Sequence, residues 1–113
     1  MQFLMLVCRD TEPVPAAALE GVDVPDIEEW VERHDSAGTR LLGDAVRPQA
    51  LAKAVRVRGG KVLVTDGPYA ETKEILCGFD VLECADMDEA IQVAAAHPMA
   101  YRGVLDIRPL LGD

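Results

Sequence analysis

The sequence predicts a single α+β domain in which two helices cover one face of an antiparallel β-sheet. Three features favour this fold: two segments that are apolar on both faces (residues 2–8 and 75–84), a valine-rich hairpin around Gly59 and Gly60, and two amphipathic helices with acidic starts. The 113 residues suffice for one domain with a hydrophobic core and are too few for two ordinary domains. We therefore treat residues 1–113 as one domain.

The first half of the chain predicts a central strand, a loop and a helix. Residues 2–8 form the strand, and residues 9–25, with three prolines and no clear period, form a long loop. Asp26 is expected to cap a helix over residues 26–37, which Gly38 ends. The predicted inward face of this helix consists of Ile27, Trp30, Val31 and His34.

The middle of the chain predicts a short strand at residues 40–47 and then a hairpin with a two-residue turn. Gly59 and Gly60 supply the positive φ angles of such a turn. This register pairs Val57 with Val62 and Val55 with Val64.

The second half predicts another central strand at residues 75–84, a helix after Asp86, and a last strand at residues 103–110. The spacing of Asp86 and Glu89 resembles a capping box, and Pro98 ends the helix. The predicted inward face of this helix consists of Ala90, Ile91, Ala94 and His97.

Asp80 stands out because it lies on this second buried strand. A buried carboxylate requires a partner, solvent at a cleft, or a subunit interface. Arg56, Arg102 and Arg108 are the partners that we consider.

The order β-α-(β)-β-β-α-β matches a ferredoxin-like sandwich. Two helices can cover only one face of the sheet, although both central strands are apolar on both faces. We therefore expect the other face to pack against a second copy of the chain, which gives a homodimer.

The composition excludes several kinds of partner and cofactor. A net charge of −9 with scattered Lys and Arg argues against direct nucleic-acid binding. No apolar run reaches the length of a membrane span, and no signal peptide is recognisable, so we expect a cytoplasmic protein. Cys8, Cys77 and Cys84 form no C-x-x-C pair and are expected to be reduced and structural. No metal spacing, P-loop or dinucleotide fingerprint is present, so we expect no metal and no cofactor.

Polar groups are concentrated in the loop that follows the hairpin. If the two central strands are parallel neighbours, both helices end at the sheet edge where this loop enters the second central strand. One region would then collect Asp66, Tyr69, Glu71, Thr72 and Lys73 from the loop, and His34 and His97 from the helices.

These residue types suit acid–base chemistry on a small ligand. His97 would transfer the proton, Asp66 or Glu71 would orient it, and Lys73 would anchor an anionic ligand. The remaining ligand contacts would come from Tyr69, Thr72 and His34. Structural roles are the alternative: histidines that complete an apolar stripe, Asp66 as a turn cap, and Lys73 in a solvated charge cluster.

Two segments, VRVRGGKVLVTDGPYAETKE and GFDVLECADMDEAIQVAAAHPMA, resemble the DGPF group of YCII-related proteins. The similarity covers roughly residues 30–109, and Tyr69 stands where the name of the group has Phe. The resemblance implies a ferredoxin-like fold that dimerises through the sheet face into a dimeric α/β barrel. It further implies similarity to a dehydrochlorinase-type enzyme with a His and Asp pair in a cleft, and an association with extracytoplasmic-function sigma factors. In that branch the His lies near the start of the first helix, whereas this helix offers only His34, near its end.

Three functions follow from these observations. The first is a ligand-binding cleft beside the DGPYAETKE loop with cofactor-free acid–base chemistry. The second is a non-catalytic regulatory or interaction module that acts with a sigma factor. The third is a purely structural role of the loop in the dimer. The sequence identifies no reaction and leaves open whether the protein is an enzyme.

Overall fold

The computed structural model describes residues 1–68 and 74–112. Its strands are β1 (Gln2–Asp10), β2 (Arg40–Ala45), β3 (Lys53–Arg58), β4 (Lys61–Asp66), β5 (Glu74–Glu83) and β6 (Gly103–Pro109). Its helices are α1 (Ile27–Ser36), α2 (Met87–Ala95) and the short α3 (Met99–Arg102). Two 3-10 turns occupy Ala16–Leu19 and Gln49–Leu51. The predicted α+β class is confirmed. Across the described ranges, no helix combines the length and apolar composition needed to cross a membrane.

The main sheet has four strands in the order β2-β5-β1-β6, and every neighbouring pair is antiparallel. The two segments predicted to be central are indeed the inner strands. Their predicted parallel arrangement is wrong, because Gln2 pairs with Glu83 and Asp10 with Glu74. Each of the two long helices links strands that have one antiparallel strand between them. The intervening strand is β5 for α1 and β1 for α2. Each helix therefore joins two parallel strands, while β1 and β5 themselves run antiparallel.

The strand directions place the ends of the two long helices at opposite ends of the sheet. Helix α1 leads into Arg40, which pairs with Leu82 near the end of β5. Helix α2 leads through α3 into Gly103, which pairs with Arg9 near the end of β1. The predicted meeting of both helix ends at one sheet edge is therefore wrong.

The core lies between the helices and one face of the sheet. Phe3, Met5 and Leu82 are fully buried on the sheet side. From the helices, Trp30, Ala90, Val93 and Ala94 pack against them. Both helices begin at the predicted caps: Asp26 accepts a hydrogen bond from the Glu28 amide, and Asp86 accepts one from the Glu89 amide at 2.9 Å.

The inward face of α2 differs from the predicted one at a single position. Ile91 is about half exposed, and Val93 is buried in its place between Ala90 and Ala94. A residue next to Ala90 lies about 100° around the helix from it, so the narrow buried stripe includes Val93 and not Ile91. His97 is buried, as the pattern predicts.

The opposite face of the sheet carries apolar side chains that no described helix covers. Leu4, Leu6, Phe79 and Val81 alternate with the buried residues and are partly exposed. Leu42 on β2, which pairs with Val81, is exposed.

Strands β3 and β4 form a separate two-stranded sheet, the hairpin arm (residues 53–66). The predicted register is confirmed, with Val55 opposite Val64 and Val57 opposite Val62. Gly59 and Gly60 make the turn at φ angles of 56° and 77°. The four valines share one face of the arm, and each of them is more than half exposed.

Candidate functional site

A cavity of about 920 Å³ lies at the end of the sheet where β5 begins. Its described lining consists of Thr11, residues 46–52, Gly67, Pro68 and residues 74–76. Gly67 and Pro68 at the start of the DGPYAETKE motif, and Glu74 at its end, therefore belong to the described lining of the cavity.

Backbone hydrogen bonds hold the walls of this cavity in place. The Val46 amide donates to the Cys77 carbonyl at 2.8 Å and extends the pairing of β2 with β5 by one residue. The Leu51 amide donates to the Pro48 carbonyl at 2.9 Å and closes the 3-10 turn. The Gly67 amide donates to the Ala52 carbonyl at 2.8 Å, and its φ of 89° is one that glycine readily adopts. This last bond joins the base of the hairpin arm to the start of the motif.

The cavity is mostly apolar, with a few polar groups at its wall. Apolar side chains come from Val46, Pro48, Leu51, Ile75 and Leu76. Its polar side chains belong to Thr11, Arg47, Gln49 and Glu74, and Arg47 is the one basic residue in the described lining. This combination suits a ligand with an apolar body and one group that a guanidinium can bind.

The loop residues predicted to contact a ligand fall mainly outside the described part of the chain. Tyr69, Glu71, Thr72 and Lys73 lie there, so their proposed roles stay predictions. Asp66 is described: it is exposed, and its carboxylate forms an ion pair with Lys53 across the base of the arm.

Both histidine rings lie next to the ring of Trp30. The ring of His34 is 4.9 Å from that of Trp30, and the ring of His97 is 4.6 Å from it, measured between centroids. Trp30 is itself fixed by a 2.9 Å hydrogen bond from Nε1 to the Val93 carbonyl. Neither histidine belongs to the described lining of the cavity. The structure thus brings the histidines to Trp30, while a joint catalytic role of His97 and Asp66 stays a prediction.

His97 is only 4% exposed and is held by the turn that follows α2. Its Nδ1 accepts a hydrogen bond from the Met99 amide at 2.9 Å, so the neutral ring carries its proton on Nε2. Burial lowers the pKa of His97, and the negative charge of Asp80 acts in the opposite direction. For His34, burial and then the charge of Arg33 lower the pKa. Both imidazoles are therefore favoured in the neutral form near pH 7.

Asp80 is buried and pairs with Arg40, a residue that the sequence analysis did not name. Arg40 Nε donates to Asp80 Oδ1 at 2.6 Å, and Arg40 Nη1 donates to Asp35 Oδ1 at 3.0 Å. Burial alone would lower the pKa of Arg40, but its bonds to these carboxylates outweigh burial and raise that pKa. Arg108, one of the partners predicted for Asp80, pairs with Asp106 instead. Neighbouring strands β2 and β5 bring Arg40 to Asp80.

The cysteines have no disulfide partners and are poor nucleophiles where they are buried. Cys8 and Cys84 are buried, and Cys77 is partly buried. Burial raises the pKa of Cys8, and the carboxylates of Glu74 and Asp106 raise it further. Burial likewise raises the pKa of Cys84. Thiols with raised pKa values stay protonated at neutral pH, which agrees with the expected structural role.

The fold and the site define a class: a small α+β domain with one sheet face that no described helix covers and a largely apolar cavity at one end of the sheet. The chain belongs to the YCII-related domain family, which matches residues 1–111. An uncharacterized protein of Rhizobium meliloti (strain 1021) is 34% identical over 114 residues, a match that covers 93% of this chain and 89% of that protein.

A solved structure is also similar to this chain. It is the 5-chloro-2-hydroxyhydroquinone dehydrochlorinase of Burkholderia phenoliruptrix AC1100 in complex with 2,5-dihydroxybenzoquinone. The two are 12% identical, with 97% of this chain and 93% of the other covered, and the TM-score is 0.48.

Proposed function

We propose that this protein binds a small organic ligand, largely apolar and carrying one anionic group, in the cavity beside the loop that follows Asp66. The cavity itself carries this proposal. Its volume of about 920 Å³ lies in the range of roughly 300 to 1,000 Å³ that is usual for small-molecule sites. Its lining is mainly apolar with few polar groups, which is also typical of such sites.

Arg47 is assigned the role of binding the anionic group. It is exposed and lines the cavity together with the apolar side chains of Leu51 and Ile75. A guanidinium binds a carboxylate or phenolate through charge-assisted hydrogen bonds. Lys73, predicted from the sequence as an anchor, would add a second cation.

Cofactor-free proton transfer by His97 and Asp66 is a further step of the proposal, separate from binding. His97 is buried against Trp30 and outside the described lining, so the proposed ligand binding does not depend on it. Acid–base activity would require a path for the proton from a ligand in the cavity, through the residues that line the cavity, to His97.

We also propose that the working form is a homodimer joined through the uncovered sheet face. The chain exposes 8015 Å², whereas a compact monomer of 12.2 kDa exposes about 6,100 Å². The excess of about 2,000 Å² is more than the roughly 800 Å² that each partner buries in a standard interface. The radius of gyration of 16.4 Å likewise exceeds the value of about 13 Å for a compact chain of this length.

Ligand binding is tested by NMR titration with benzoate and with its uncharged analogue benzamide. We expect benzoate to shift the amide signals of residues 46–52 and 74–76. Arg47→Gln should weaken benzoate binding by about 10-fold or more, because a charge-assisted hydrogen bond is lost, and should leave benzamide binding nearly unchanged. Arg33→Gln, on the exposed side of α1, is the matched control.

Two results would contradict this function. One is that no signal of the lining moves with either compound at about 5 mM, near the weak limit of detectable affinity. The other is an equal loss of benzoate binding in the Arg47 and Arg33 variants. The alternative function, a regulatory module acting with an extracytoplasmic-function sigma factor, predicts direct binding of that factor and no ligand in the cavity.

A further inference from the structure

We propose that the hairpin arm (residues 53–66) is a docking element for a second copy of this chain, with its valine face as the contact surface. This inference deepens the proposed homodimer, because it assigns a second contact to it in addition to the uncovered sheet face. It does not depend on ligand binding in the cavity.

The valine face of the arm is unusually exposed for a surface made of four apolar side chains. Val62 is 67% exposed, Val55 63%, Val64 59% and Val57 56%. The cross-strand register places all four on one side of the arm. A two-stranded sheet by itself is marginally stable in water, and contiguous apolar patches on a protein surface mark interaction sites. The valine face is therefore expected to be covered in the working form.

The charge of the arm points to a partner of opposite sign. The arm contains Lys53, Arg56, Arg58 and Lys61 but only one acidic residue, Asp66, which gives a net charge of +3. The rest of the chain contains 7 basic and 19 acidic residues, a net charge of −12, and the two parts add up to the −9 of the whole chain. A basic arm thus projects from an acidic body, and the body of a second copy attracts it.

A second copy also offers a surface of matching composition. The inner strands of its uncovered sheet face would be covered by the sheet-face contact, while the edge strand β2 presents the exposed side chain of Leu42 on the same face. Asp44, also on β2, pairs with Phe79, so its carboxylate belongs to this same face. In a two-fold dimer each arm would contact the other body, so every contact would occur twice. The excess exposed area described above is large enough for the sheet face and the arms together.

The test is the dimer dissociation constant, measured by sedimentation over a range of protein concentrations. The double variant Val57→Thr/Val62→Thr keeps β-branched residues in the hairpin and makes its face polar. We expect its dissociation constant to rise by at least about 30-fold, since each substitution occurs twice in the dimer. Ile91→Thr, at an exposed apolar position on α2, is the matched control and should leave the constant unchanged.

A second variant tests the charge of the arm at two basic residues on the face opposite the valines. Arg58→Glu/Lys61→Glu changes the net charge of the arm from +3 to −1. We expect weaker dimerisation, with the difference from the wild type largest at low salt. Circular dichroism checks that each variant is folded.

Hydrogen exchange of backbone amides in the wild-type protein tests the arm contact without any variant, and so covers the case in which a variant does not fold. Protection of amides in residues 53–66 should increase with protein concentration. Exchange in the arm that is independent of concentration would overturn the proposal.

The remaining outcomes separate the arm from the rest of the proposed function. Arm variants that dimerise as well as the wild type, while Leu6→Thr dissociates the dimer, would overturn the arm contact and leave the sheet-face dimer standing. A wild-type protein that stays monomeric at every concentration would overturn both the arm contact and the sheet-face dimer. This holds also if the arm binds nucleic acid or an acidic peptide instead. Benzoate titration of the same variants shows independently whether the cavity binds a ligand.

Discussion

Replacing Arg40 with methionine removes the cation that faces the buried carboxylate of Asp80. The side chains of Asp80 and Arg40 are 8% and 15% exposed, and Nε and Oδ1 are 2.6 Å apart. Methionine fills much of the volume of the aliphatic part of the arginine side chain but leaves Asp80 without this charged partner. Breaking a buried ion pair on one side costs about 3 to 5 kcal/mol. Since a domain of this size is stable by about 5 to 15 kcal/mol, the variant should lose a large part of its stability.

Urea unfolding at a fixed protein concentration measures this loss. The double variant Arg40→Met/Asp80→Leu should be more stable than Arg40→Met alone, because an apolar pair replaces the uncompensated charge. Arg33→Met, at an exposed position on α1, is the control and should change the free energy of unfolding by about 0.5 kcal/mol or less. A cost below about 1 kcal/mol for Arg40→Met would refute the reasoning, as would a double variant whose cost equals the sum of the single costs.

Three further predictions concern His97, Gly43 and Trp30. The NMR titration of His97 should have its midpoint below the ordinary pKa of 6.5, and Asp80→Asn should lower it further by removing the charge that favours imidazolium. Because the folded-state pKa is the lower one, the stability contributed by neutral His97 is complete above pH 6.5 and is lost as the pH falls below it, which urea unfolding detects. Gly43→Ala should destabilise by about 1 to 3 kcal/mol in the same assay, because its Cβ would collide with Asp80 Oδ1 and lie 2.8 Å from the Phe79 carbonyl oxygen. Trp30→Phe should cost about 1 to 3 kcal/mol by leaving the carbonyl that accepts its Nε1 hydrogen bond unpaired.

Each of these predictions has a contrary result. A His97 midpoint at or above 6.5 would contradict the effect of burial on its pKa. An upward shift of that midpoint in Asp80→Asn would contradict the direction assigned to the charge of Asp80. An unchanged free energy of unfolding in Gly43→Ala or Trp30→Phe would contradict the predicted cost, because the surrounding residues would then adjust without a loss of stability.

Features that depend on local sequence were predictable. The Gly59–Gly60 turn fixes the register of the arm, so the pairs of valines could be assigned from the sequence alone. Asp26 and Asp86 cap their helices because a carboxylate at that position accepts a hydrogen bond from an amide in the first helical turn. The apolar character of both faces correctly identified the inner strands of the sheet.

Features that depend on distant parts of the chain were not predictable in the same way. The apolar pattern of a buried strand is the same in both chain directions, so the sequences of β1 and β5 do not reveal that the two strands are antiparallel. Arg40 is 40 residues from Asp80 in sequence, and no local pattern connects them.

The candidate site was predictable only in part. The sequence pointed to a cleft beside the DGPYAETKE loop, and Gly67 and Pro68 of that motif line the cavity, although neither was named as a site residue. Arg47 and Leu51 lie in a segment without periodicity, where only the fold shows that they line the cavity.

The position of the hairpin arm in the chain has a consequence for how this protein can vary. Strands β2 and β5 are hydrogen-bonded to each other, and the arm is inserted in the connection between them. Of residues 53–66, only Ala54 is buried. The sheet and its helices therefore place few demands on the sequence of this insertion. Substitutions there are expected to leave the fold of the domain that holds the cavity unchanged, so the surface of the arm can vary separately from the cavity.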